Sequence, residues 1–262
     1  MKRRLAGGSV WFALIILIPV TAYAAETPAL DPGTMAALNK MGAYLRTLTT
    51  IQVEAATTDE DVLEDGEKVQ YSELVTVLAR KPDRLRAEVS SDRHQRLYLY
   101  DGKNFTLFAE RLGYYATVSA PPTIAKLMDK LEADYDFSVP LQDLFRWGAQ
   151  GWGPGAVKRA LDLGPSDVGG VTCEQYALRQ DDVDWQIWIQ KGDYPLPRKL
   201  VITTRTDEAK PQHSAVYTWN LAPSFNEAAF VFDPPPAAQR VVLPTGTFGA
   251  PASPAAHAAK DK

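Results

Sequence analysis

One cysteine, Cys173, and three histidines, His94, His213 and His257, are the whole supply of soft ligands and neutral-pH bases in 262 residues. A thiolate nucleophile needs a base beside it, and a metal needs ligands at short, repeated spacing. No histidine stands near Cys173, which lies in a strand-like run from Val171 to Leu178 and reads as a buried, inert thiol. His94 lies near a turn, His213 opens a strand and His257 sits in the last residues, so all three read as surface groups. A single cysteine also excludes an intrachain disulfide and any CxxC redox centre. The chain has no GxSxG elbow, HExxH helix, Walker loop or GxGxxG turn. Its glycine cluster, Gly151, Gly153 and Gly155, has the wrong spacing for a phosphate nest and reads as a hinge or loop.

Carboxylates are more plentiful. Asp59, Glu60, Asp61, Glu64, Asp65 and Glu67 crowd a hairpin signal and could hold a hard cation, but the spacing is not that of an EF-hand loop, so we read a solvated hairpin tip. Asp181, Asp182 and Asp184 flank another turn, where aspartate collects for backbone reasons. Neither cluster identifies a hydrolase, and no catalytic residue, metal or cofactor is expected. The basic side chains concentrate once, in Arg84, Arg86, Arg93 and Arg96 with Arg80 and Lys81 beside them. Arg84 and Arg86 share one strand face, so this stretch is a candidate patch for a partner protein or an anionic headgroup. With 28 basic against 32 acidic residues the net charge is −4, which provides no overall drive toward a phosphate backbone, and no nucleic-acid partner is expected.

The first residues have another purpose. Lys2, Arg3 and Arg4 precede an apolar run from Val10 to Val20, and Ala22 and Ala24 supply the small residues of a cleavage site. Residues 1–24 therefore read as a secretory signal peptide cut after Ala24, which makes the mature chain periplasmic and more acidic. No cysteine follows the run, so lipid attachment there is ruled out and membrane contact is expected to be transient. The final residues, 245–262, are rich in Ala, Pro and Gly and read as a disordered tail.

Between these ends the pattern is mostly period two. Met35, Leu38, Met41, Leu45 and Leu48 first mark an amphipathic helix after a start signal at Asp31 and Pro32. Leu85, Ala87 and Val89 then alternate with Arg84, Arg86 and Glu88, and similar alternation recurs to Leu221 between short polar turns. This predicts an antiparallel sheet of about ten strands, mainly β with a few helices, and a sheet that wide must curl into a half-barrel. One interruption, with Ile124, Leu127, Met128 and Leu131 after a proline pair and a shorter helix from Pro140, supplies the cover. A single domain over residues 31–244 is expected.

The chain's surplus is apolar. Tyr98, Tyr100, Phe108 and Trp188 lie opposite Leu97, Leu99, Phe105 and Ile187, so both sheet faces carry apolar side chains. We take the concave face as the candidate ligand site. Leu97, Leu99, Phe105, Leu107, Trp185, Ile187 and Trp219 would line it from the sheet, and Leu127, Met128 and Leu131 from the covering helix. An acyl chain of about 16 carbons gains on the order of 10 kcal/mol on leaving water, and it needs no polar motif. A lipid or other apolar ligand fits a chain so poor in catalytic motifs.

Tyr100-Asp101-Gly102-Lys103-Asn104-Phe105-Thr106-Leu107-Phe108 and Phe230-Val231-Phe232-Asp233-Pro234-Pro235 resemble the strand, DGK turn, strand signature and the FxFxPP ending of the superfamily of the LolA and LolB lipoprotein localisation factors and RseB/MucB-type envelope sensors. The stretch from Tyr114 to Val118 and on through Ala120-Pro121-Pro122-Thr123-Ile124 is similar to DUF2092, a family of predicted periplasmic proteins. The resemblance implies a LolA-like half-barrel without enzymatic activity. It implies a carrier of lipid or acylated ligands or, alternatively, a sensor or interaction module that docks another envelope protein.

Overall fold

Twelve strands join in one sheet in the order β12-β6-β5-β4-β3-β2-β1-β11-β10-β9-β8-β7, open at both edges and antiparallel except between β12 and β6. This is a computed structural model that describes residues 30–147 and 157–245. The expected signal peptide, the glycine cluster from Gly151 to Gly155 and all but Thr245 of the expected tail lie outside the described residues.

Helix α1 (Pro32–Thr47) starts where the sequence signals it. The Asp31 carboxylate accepts hydrogen bonds from the Thr34 amide at 2.6 Å and the Thr34 hydroxyl at 2.7 Å, and Pro32 opens the first turn. Its apolar stripe buries Leu38, Met41 and Leu45 against the sheet. Five hairpin-linked strands follow: β1 (Thr50–Val62), β2 (Lys68–Arg80), β3 (Arg84–Ser90), β4 (Gln95–Tyr100) and β5 (Asn104–Ala109). The β4–β5 turn needs its glycine. Gly102 has φ +90°, and a Cβ there would lie 2.7 Å from the Arg84 guanidinium, while Asp101 Oδ1 accepts from the Lys103 and Asn104 amides at 2.8 and 2.7 Å.

After β6 (Tyr114–Ser119) the chain leaves the sheet for α2 (Ile124–Tyr135), capped by Thr123, and the single turn α3 (Asp143–Arg146). Strands β7 (Arg159–Val168), β8 (Val171–Arg179), β9 (Val183–Gln190), β10 (Pro197–Thr204) and β11 (Gln212–Asn220) form a second meander. It joins the first by pairing β11 with β1, from Gln52 opposite Asn220 to Asp59 opposite His213. The helices all lie on one face of the sheet, here called inner, and one apolar cluster runs from α1 and α2 across β1–β5 and β7–β11.

The outer face carries a second layer. Beyond β11 the chain crosses back over β3–β6 through a 3₁₀ turn, Glu227–Phe230, and ends in β12 (Gln239–Arg240) alongside β6. Phe230 is 1% exposed, and the Phe232 ring packs 5.5 Å from that of Phe108 and 5.0 Å from that of Tyr115. Arg80 and Arg84 both pair with Glu227, and Arg86 donates to the Ala229 carbonyl at 3.4 Å. The FxFxPP-like segment is thus a strap, held by aromatics at one end and arginines at the other.

Candidate functional site

Cross-strand register decides which side chains reach the inner face. Leu85 stands opposite Tyr100 and Ala87 opposite Tyr98, so the two tyrosines join the inner core, where Tyr98 stacks on Phe137 at 5.7 Å and the Tyr100 hydroxyl donates to the Pro121 carbonyl. Leu97 and Leu99 therefore point outward, against the expectation that they line the concave site. The segment Leu97 to Tyr100 is apolar on both faces, so its composition carries no preference. The short turn between Ser90 and Gln95 fixes the register, and a shift of one residue would exchange the faces. Leu99, 3% exposed, is buried beneath the strap instead.

The other expected lining residues share the inner side. Phe105 and Leu107 lie opposite Val118 and Ala116, Ile187 and Trp185 opposite Leu200 and Ile202, and Trp219 opposite Val53. Phe105, Ile187, Leu127, Met128 and Leu131 are fully buried, with α2 side chains filling the space over the sheet. Leu107, Trp185 and Trp219 are half-buried at the margin of this cluster. Trp147, just after α3, meets Trp185 edge-on at 5.7 Å, and Trp219 Nε1 donates to the Pro197 carbonyl at 2.8 Å. The inner face is thus closed by the protein's own helices, with tryptophans around its rim. Two residues in the left-handed region, Asp136 (φ 48°) and Leu141 (φ 56°), bracket the link between α2 and α3.

The four arginines do not form one patch. Arg84 and Arg86 share the outer face as expected, but Glu227, Asp83 and Glu88 pair with them, so they fasten the strap rather than stand free for a partner. Arg93 lies over the Tyr71 ring at 4.1 Å, in the turn before β4, and Arg96 pairs in register with Val89 on the inner side. Strand alternation and the intervening turn separate them.

His213, read from the sequence as a surface group, is instead turned to the inner side with Tyr217 and Trp219, and its Nδ1 lies 2.6 Å from Asp59 Oδ1. The run His213, Ala215, Tyr217, Trp219 carries this signal, because alternate residues share a face. Near it lies a carboxyl that sequence reasoning missed, Asp143 at the start of α3. Burial pushes it up to about 6, against the opposing pull of His213 and Arg146, and its Oδ1 is buried with no hydrogen-bond partner among the described residues. Burial, and then the charge of Asp143, in turn raise the Tyr217 hydroxyl. Cys173 is buried, its thiol raised by burial, which makes it a poor nucleophile.

Asp143 has a measurable consequence. Its folded value lies above the ordinary 3.8, so stability falls as pH climbs from about 4 to about 6, where the unfolded chain ionises this carboxyl and the folded chain does not. Asp143→Asn is expected to raise stability in urea by about 3 kcal/mol at pH 8 and by well under 1 kcal/mol at pH 4. An equal gain at both pH values would show that the charge of Asp143 is not the cause.

The model of the family DUF2092, described as a predicted periplasmic protein, matches residues 34–243. This chain belongs to DUF2092. The matched span takes in the helices and strands of the described residues of this DUF2092 member, except the first residues of α1. No curated protein matches it. Among solved structures, the Mycobacterium tuberculosis lipoprotein LppX is 12% identical, with 75% of this chain and 100% of that chain covered at a TM-score of 0.45. LprF from Mycobacterium bovis is also 12% identical, with 81% and 100% covered at 0.45. A LolA superfamily protein from Nitrosomonas europaea is 12% identical, with 76% and 97% covered at 0.36.

Proposed function

We propose that this DUF2092 member, cut after Ala24 and folded as one domain over residues 31–244, is a non-enzymatic periplasmic carrier that takes acyl chains or another apolar ligand between the inner sheet face and α2. The observation that carries this reading is the continuous apolar inner face, covered by few helices and rimmed by half-buried Leu107, Trp185 and Trp219. Because the face is closed, uptake requires α2 and α3 to swing away, and the left-handed residues Asp136 and Leu141 stand where such a hinge would act. The ligand then replaces α2 side chains against Phe105 and Ile187, so apolar contacts are exchanged rather than lost. That exchange keeps the cost of opening low enough for the transfer energy of an acyl chain, on the order of 10 kcal/mol, to drive it.

Native mass spectrometry of the mature protein, purified without detergent and then extracted with solvent, tests the reading. Bound acyl species at defined stoichiometry are expected. A clean unliganded mass that persists after incubation with phospholipid vesicles would overturn it.

A further inference from the structure

A cleft of about 290 Å³ lies on the outer face, between the strap and β4–β6, on the opposite side of the sheet from the apolar site. We propose that it binds a neutral hexopyranose, a role independent of the inner-face reading.

The cleft is amphipathic in the way a sugar ring is. Tyr115 and Phe232, half-buried and with rings that meet at 5.0 Å, supply apolar surface for the C–H face of a pyranose. Asp101, Asn104, Thr117 and Arg240 supply the polar edge. Thr117 shares a hydrogen bond with Thr106 at 2.9 Å, and between them the two hydroxyls keep one further proton and free lone pairs. Asp101 Oδ1 is engaged by the turn amides, but among the described residues Oδ2 accepts only a 3.4 Å contact from the Asn104 side-chain amide, so it can still take a hydrogen bond from a sugar hydroxyl. Arg240 and Asn104 donate, Asp101 accepts and threonine does either, a mixture that suits vicinal hydroxyls, each both donor and acceptor. One carboxylate and one guanidinium cancel, which favours an uncharged ligand over a phosphate or a fatty-acid carboxylate. The volume suits a single ring rather than an acyl chain.

The wall formed by Phe230, Val231, Phe232, Pro234 and Arg240 belongs to the strap, so the cleft exists only while the strap is docked. That dependence separates it from a surface groove of the sheet itself.

Titration of the ¹⁵N-labelled mature protein with glucose, galactose, mannose and N-acetylglucosamine tests the proposal, with alanine and glutamine as zwitterionic controls. At least one pyranose is expected to shift the amides of Asn104 and Thr117 with a Kd of roughly 0.1–10 mM. At least one of Arg240→Ala and Thr117→Val should weaken it about tenfold or more at an unchanged melting temperature. Silence toward every pyranose up to about 50 mM, a response to the amino acids alone, or wild-type affinity in both folded variants would overturn it.

Discussion

Leu107→Asp is expected to abolish acyl uptake in a protein that still folds, whereas Ile187→Asp is expected to yield no folded protein. Both residues are apolar, and both lie on the inner face, one on each side of the joined meanders. They differ in what the new carboxylate meets. At Ile187, 1% exposed within the core, an ionised group finds neither water nor a partner. The desolvation cost comes on top of the lost side chain, and together they exceed about 5 kcal/mol, a large part of the stability of any single domain. At Leu107 the side chain is half-buried at the cluster margin, so the carboxylate can turn to solvent at a cost of about 1–2 kcal/mol. The same charge would stand in the path of an acyl chain entering the face and should reduce its affinity by at least about 100-fold, since a chain cannot cover a carboxylate without stripping its water. Circular dichroism, urea titration and native mass spectrometry of the two variants separate the outcomes. A folded Leu107→Asp protein that retains bound lipid would remove this part of the inner face from the site.

The second large effect is expected on the outer face. Phe230→Ala should lower stability by about 3 kcal/mol, the cost of emptying a fully buried phenylalanine site. Phe230 packs edge-on against Phe225 at 5.3 Å, under the guanidinium of Arg80 at 6.0 Å, and lies outside the inner cluster. Its loss therefore loosens the strap before the sheet. Hydrogen exchange reads the difference. The amides of Gln239 and Val241, which donate to the carbonyls of Gly113 and Tyr115, should lose protection while the β1–β2 amides keep theirs. Glu227→Ala makes a useful contrast. Its ion pairs with Arg80 and Arg84 are exposed to solvent, and removing them should shift the urea midpoint far less than Phe230→Ala does. A loss below about 1 kcal/mol for Phe230→Ala would mean that the strap contributes little to holding the outer face.

Several elements were legible in the residues because their signals are local. The Asp31 cap and the stripe from Met35 to Leu48 predict α1 to within a residue or so of its observed ends, and the proline pair before Ile124 with the stripe to Leu131 predicts α2. Alternation from Leu85 to Val89 and from Ala215 to Trp219 marks strands whose faces came out as read. The described residues hold twelve strands where about ten were expected, and one of the additional strands, β12, is only two residues long and too short for a period to show. In each of these cases a helix cap or a two-residue repeat is settled by neighbours in the chain.

What the residues could not settle depends on contacts between distant segments. Leu97 to Tyr100 states that two apolar faces exist but not which one turns inward, because that choice belongs to the register with β3. Arg84 and Arg86 read as a free basic patch until Glu227, more than 140 residues later, folds back to pair with Arg84 and the Ala229 carbonyl takes Arg86. Nothing local marks Asp143, and it is burial in the fold, close to Tyr217 and His213 of β11, that makes it hard to ionise. Patterning and composition specify an apolar, two-faced sheet with a thin helical cover and little catalytic equipment, since both are sums over local choices. The tertiary structure alone decided which face is closed by helices, which is closed by the strap and where a cleft remains. Burial is a property of pairs of surfaces, and the second member of each pair comes from elsewhere in the chain.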